Sequence, residues 1–237
     1  MPDQSLPKFY LFINGILTMP EAKSDWNARA VTWAESRYDQ LADRYEYLSD
    51  AIFRRIFQAD RVKNCADILD AYVPEHELIV VGHSNGADIA VRLIETTNLK
   101  FAEVHLLAAA AEADFEKNGL NAALLSGRIG RLFLYGSHND EALELALWSE
   151  KLAFLGIGYG ALGRTGPKNL DPVAARYVTQ VWCDAFGHGS WFTPANFADT
   201  MAAIVDPAHP VAFPAIPVPA PVRAAFLPND SSKRSNL

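Results

Sequence analysis

Short, continuous apolar runs alternate along this chain with stretches whose apolar residues recur every three to four positions. The runs predict strands at Lys8 to Ile13, Glu77 to Gly82, Glu103 to Ala108, Arg131 to Tyr135 and Tyr177 to Ala185, with a weaker one at Arg44 to Leu48. The helical spacing predicts helices at Ser24 to Arg37, Arg61 to Ala71, Asn85 to Thr96, Ala142 to Leu155 and Pro194 to Val205. In the third of these, Ala87, Ile89, Ala90, Val91 and Leu93 share an apolar face. Tyr38 to Asp60 fits either period. Strands that are apolar throughout must be buried on both faces, and strands alternating with helices form parallel sheets. The expected fold class is therefore α/β, with a mostly parallel central sheet of about six strands and helices on both faces.

The pattern breaks at Asp206. From there to the end the chain carries half of its 14 prolines. Proline lacks an N–H and fixes φ, so neither a regular helix nor a central strand can continue through such a segment. The expected division is residues 1–205 as the folded domain and 206–237 as a proline-rich arm and tail. Val211, Phe213, Ile216, Val218, Val222, Phe226 and Leu227 favour an arm docked on its own body or on a neighbouring subunit, the latter giving a homo-oligomer. The last residues, "NDSSKRSNL", read as disordered.

Half of the 237 residues are hydrophobic, enough for one sizeable core. The formal net charge of -7 argues against nucleic acid and against a polybasic membrane anchor, because both need clustered Lys and Arg. Two distant cysteines, Cys65 and Cys183, exclude a disulfide scaffold and read as buried thiols. The apolar run "FYLFI" near the N-terminus is too short for a secretion signal, and no integral membrane segment of roughly 20 apolar residues is found. These features predict a cytoplasmic protein.

Chemistry concentrates in "LIVVGHSNGADIA". A buried strand, Leu78 to Val81, runs into Gly82-His83-Ser84-Asn85-Gly86 and then into the amphipathic helix. A hydroxyl meant to project above a sheet must sit on a tight strand-to-helix turn. Glycines two positions before and after let the flanking backbones close up. The same turn puts Ser84 at a helix N-terminus, where free N–H groups favour a developing anion. The competing reading is an ordinary structural turn.

This segment resembles the nucleophile elbow of the α/β-hydrolase superfamily, particularly its lipase- and esterase-like members. The resemblance implies a nucleophile, acid and histidine in that order along the chain, and an acyl-enzyme intermediate. Ser84 would be the nucleophile. Asp140, in the loop after "RLFLYG", stands where the family's acid would, with Asp114, Asp184 and Asp171 as rivals and a simple helix cap as the alternative role. His188, between two glycines in "AFGHGSWF", would be the base. The oxyanion hole would use the backbone N–H groups of Asn85 and Ile16, although "NG" stands at Asn14-Gly15 where the family often has His-Gly. Gly15, His83, His138 and Trp191 are the expected substrate neighbours; for His105 a core role is expected.

The resemblance also implies a trimmed fold with no cap domain, since the chain opens on the strand matched to the family's third and the Glu103 and Arg131 strands lie close together. The Gly-rich stretch from Phe154 to Asp171 would be either a lid or a plain connection. No metal motif, Walker lysine or dinucleotide fingerprint is present, so no cofactor is expected. The implied substrate is a small-molecule or lipid-like ester, with thioesters and peptides open to the same machinery. A non-catalytic binding protein on the same fold is the rival from another class.

Overall fold

The computed structural model describes residues 6–16, 25–47, 57–150, 160–206 and 213. Six parallel strands form one sheet in the order β2-β1-β3-β4-β5-β6: β1 (Lys8–Ile13), β2 (Leu41–Tyr45), β3 (Glu77–His83), β4 (Phe101–Leu107), β5 (Ile129–Gly136) and β6 (Val178–Trp182). The helices are α1 (Trp26–Tyr38), α2 (Gln58–Asp70), α3 (Asn85–Thr96), α4 (Leu120–Leu125), α5 (Glu141–Glu150), α6 (Leu162–Thr165) and α7 (Phe197–Val205). The expected α/β class holds, and every described strand pair is parallel.

Side chains alternate across the central strands, so each strand feeds two cores. Phe9, Leu11 and Ile13 of β1, with Leu78 and Val80 of β3, pack against Val62, Cys65 and Leu69 of α2 and Ile89 and Leu93 of α3. Tyr10 and Phe12, with Ile79 and Val81, pack on the other face against Trp26 and Ala30 of α1 and Met201 and Ile204 of α7. Burial on both faces explains why these strands read as unbroken apolar runs. At the rims that pressure is lost. The edge strand β2 lacks a fully buried residue and starts three residues before its expected Arg44, while β6 ends at Trp182 rather than Ala185.

The order of the strands reverses between β1 and β3, because the chain leaves β1 for β2 on one side and returns to β3 on the other. A crevice opens at the C-terminal ends of such strands, where open α/β sheets bind their ligands. Gly15 follows β1 and Ser84 follows β3, so both lie on this crevice.

The second core contains a polar chain. Lys8 Nζ donates to Glu103 Oε1 at 3.1 Å, and His105 Nε2 donates to Glu103 Oε2 at 3.2 Å. His105 is fully buried and stacks on Phe133 at 4.5 Å, consistent with its expected core role. Burial depresses the His105 imidazole below its ordinary value, with Glu103 opposing the shift. Burial alone would raise Glu103, but His105 and Lys8 hold it below the usual carboxylate value. The signs agree. An unfolded chain binds protons at His105 before the folded one does as pH falls below 6.5, and at Glu103 below 4.5. The melting temperature is therefore expected to be highest at neutral pH and to fall steadily below pH 6.5. Replacing His105 with glutamine should flatten the part of that decline between pH 6.5 and 5, as read by thermal scans across a pH series.

Among the described residues no helix is long and apolar enough to cross a membrane. In the proline-rich arm only Asp206 and Phe213 are described. Phe213 packs edge-on against Phe186 at 5.9 Å and Trp191 at 5.5 Å. The remaining apolar positions of the arm lie outside the described residues.

Candidate active site

Ser84 closes β3 with φ 56° and ψ -121°, a conformation that non-glycine residues rarely adopt. Holding it costs about 1–3 kcal/mol, which surrounding bonds must offset. Its N–H donates to Leu107 O at 3.0 Å, and its carbonyl accepts from Ala87 and Ala110 N–H, both at 3.1 Å. The expected glycines are there for close approach. A Cβ on Gly82 would meet Gly86 O at 2.6 Å, and one on Gly86 would meet Ile13 O at 2.3 Å. The turn thus presses the start of α3 onto the end of β1.

The turn aims Ser84 Oγ at His188, whose Nε2 lies 2.8 Å away. On the far side of the ring, Nδ1 lies 2.8 Å from Asp140 Oδ2. A carboxylate oxygen accepts, so Nδ1 carries the proton and Nε2 is left to accept from the Ser84 hydroxyl. Asp140 is 1% exposed. Its Oδ1 accepts the Leu143 N–H at 3.0 Å, so the two readings of this residue, helix cap and histidine partner, are each realised by one oxygen. Arg164 on α6 adds a bond from Nη1 to the Asp140 carbonyl at 2.8 Å and an ion pair to Glu144 at 3.2 Å. Nothing in the local sequence marks Arg164 for this task.

The rival carboxylates are engaged elsewhere. Asp114 accepts from the Glu116 and Lys117 N–H groups and from Asn169 Nδ2. Asp184 accepts from the His138 N–H and Nδ1 at 2.8 and 2.9 Å. Asp171 caps a short turn through the Val173 and Ala174 N–H groups.

Gly15 sits directly against the serine: a Cβ there would lie 2.9 Å from Ser84 Cβ and 3.4 Å from its Oγ. The neighbouring Asn14 is buried, and its Oδ1 accepts from the Gly15 N–H at 2.7 Å and from Trp26 Nε1 at 2.8 Å. The asparagine thereby pins the loop that carries Ile16 to α1. Asn85 is the first residue of α3, where N–H groups have no intrahelical acceptor. Its side chain donates from Nδ2 to the Tyr47 hydroxyl.

Two expected substrate neighbours are placed otherwise. Trp191 is fully buried, packed edge-on to Tyr135 and Phe186, and presents no surface to a ligand. Its position beside His188 suggested the site, but its ring turns inward to the core. His138 is exposed, stacked on Trp182 at 4.3 Å and bound to Asp184, with no contact to Ser84 or His188. His83 contacts His188 itself, its Nε2 lying 3.0 Å from the His188 carbonyl. A cleft of about 360 Å3 opens beside His83 and Gly189, walled by Trp26, Phe192 and Pro194.

The stretch expected to be a lid or a connection is, over its described part from Gly160 to Asp171, packed tightly. A Cβ on Gly160 would fall 1.8 Å from Ala111 O, and Gly163 donates to Ala109 O while accepting from the Ser137 N–H. That part is a connection buckled across the ends of β4 and β5. Residues 154–159 lie outside the described residues. Among those described, no group of three or more metal-ligating side chains occurs.

No protein-family model and no curated protein matches the chain. Solved structures do. A protein of Xanthomonas campestris pv. campestris, assigned to the alpha/beta superfamily of hydrolases, superposes with a TM-score of 0.51 at 13% identity, covering 85% of this chain and 98% of its own. A hydrolase assignment from Agrobacterium vitis S4 gives 0.51 at 15% identity, covering 84% and 87%. Identities this low speak to architecture alone. With its six parallel strands, its strand-to-helix elbow and these neighbours, the chain has the α/β-hydrolase fold.

Proposed function

We propose that this protein is a serine hydrolase that cleaves carboxylic esters through an acyl-enzyme. The observation that carries the reading is the hydrogen-bonded line Ser84 Oγ–His188–Asp140, 2.8 Å at each step. As Ser84 Oγ attacks the ester carbonyl, its proton passes to His188 Nε2, and Asp140 steadies the imidazolium that results. The carbonyl oxygen becomes an anion near the N–H groups of Asn85 and Ile16, where preorganised donors lower the barrier by about 3–4 kcal/mol each. His188 returns the proton to the departing alcohol. Water then repeats the sequence, releasing the acid and restoring Ser84.

Ester rather than thioester or amide is the choice that follows from the resemblance to lipase- and esterase-like hydrolases, since the same machinery serves all three; a cleft of about 360 Å3 lies beside His83 and Gly189. Gly15 lines the reacting centre by its contact with Ser84. A fluorophosphonate probe tests the reading. One equivalent of label on the wild type and none on Ser84→Ala supports a serine hydrolase. A folded wild type that resists several such probes would favour the binding protein instead.

A further inference from the structure

We infer that His83 is a positioning residue: by donating Nε2–H to the His188 carbonyl it holds the His188 main chain in register with Ser84. This rests on the reading of His188 as the base, and it gives His83 a task other than the substrate contact expected of it.

The need for such a tether is visible in the glycines. Gly187 and Gly189 flank His188, yet neither is demanded by crowding. A Cβ on Gly189 would meet nothing within 4 Å, and one on Gly187 only Ser190 Oγ at 3.7 Å. Gly189 has φ -94°, open to any residue. These glycines therefore supply freedom rather than a special geometry, and that freedom must be restrained if His188 is to stay 2.8 Å from Ser84. The Gly187–Ser190 bonds only fold the loop on itself. The bond from His83 spans 105 positions and fastens His188 to the sheet.

His83 is well placed for this. It is the last residue of β3, in register with Leu107, and its ring stands edge-on to Trp26 at 6.0 Å and to Phe192 at 5.3 Å. Trp26 is in turn held by Asn14, so one chain of contacts joins the loop after β1 to the loop bearing His188. A carbonyl oxygen only accepts, which fixes the His83 proton on Nε2. Burial, and next the charge His188 acquires, press the His83 imidazole down to about 3, against the pull of its own bond and of Asp140. A neutral ring at position 83 adds no repulsion when the neighbouring imidazole, 5.1 Å away, takes up a proton.

Glutamine can present an N–H near the position of Nε2; methionine fills the space without a donor. His83→Met is expected to lower kcat for a nitrophenyl ester, and the fluorophosphonate labelling rate, by about 10- to 100-fold with KM within about twofold, since a displacement near 1 Å can cost about 100-fold. His83→Gln should stay within about fivefold of wild type. Hydrogen exchange of amides 186–192 should quicken in the methionine variant and not in the glutamine variant. A packing role predicts the reverse order, because methionine suits an apolar niche better. Methionine equal to wild type, glutamine as slow as methionine, or a rise in KM alone would each overturn the proposal. A wild type that takes no label would instead overturn the hydrolase reading, and the exchange measurement would still decide whether His83 restrains the loop.

Discussion

Replacing His188 with alanine should lower kcat for a nitrophenyl ester by about a million-fold, and adding Ser84→Ala to that variant should cost little more. The two side chains act as one device. Without an acceptor 2.8 Å from Oγ, the hydroxyl stays protonated, and without the hydroxyl the acceptor has no task. Steady-state rates of the two single variants and the double variant test this directly. Additive losses would mean that the two residues serve separate steps, and the mechanism above would be wrong.

The same assay discriminates the carboxylates. Asp140→Asn should cost about 1,000- to 10,000-fold, because an amide can donate to Nδ1 and stabilise the unreactive tautomer. It retains an oxygen for the Leu143 N–H, so α5 should keep its cap and the fold should survive. Asp114→Asn should leave kcat within about twofold, since its oxygens serve a turn and Asn169. A loss confined to Asp114→Asn would transfer the acid role there.

What could be read from the sequence follows from where each residue's constraints come from. β1, β3 and α3 are packed on two sides by their own neighbours, so composition and period mark them, and α3 spans the expected Asn85–Thr96. The order of Ser84, Asp140 and His188 was legible because each follows a strand. α2 starts three residues before the expected Arg61, at Gln58, which is polar yet buried: its Nε2 donates to Asp88 at 2.7 Å, a partner 30 positions away. Trp191 looked like a substrate wall because an aromatic beside a candidate base reads that way; only the packing of Tyr135 and Phe213 reveals which way the ring turns. The task of His83 was hidden for a related reason. A hydrogen bond to a main-chain carbonyl leaves no mark on the identity of the residue that accepts it.

The close approach of α3 to β1 gives a large expected effect on stability. Gly86→Ala would set a methyl group 2.3 Å from Ile13 O and 2.6 Å from Asn14 O. Both obstacles are backbone at the end of a strand buried from Phe9 to Ile13, so neither can rotate aside as a side chain would. β1 and α3 must part, and the loss should be about 3 kcal/mol, the upper end for overpacking in a core. For a domain of this size that lowers the melting temperature by roughly 6–12 °C. The displacement also moves Gly15 away from Ser84, so the folded fraction of the variant should label at least about tenfold more slowly. Gly189→Ala provides the contrast, with open space around the new methyl and an ordinary φ. There the change should be neutral to slightly stabilising, within about 1 kcal/mol, because alanine narrows the unfolded ensemble. If the two variants melted alike, the close approach of β1 and α3 would not be what shapes the elbow, and the strain at Ser84 would need another source of support.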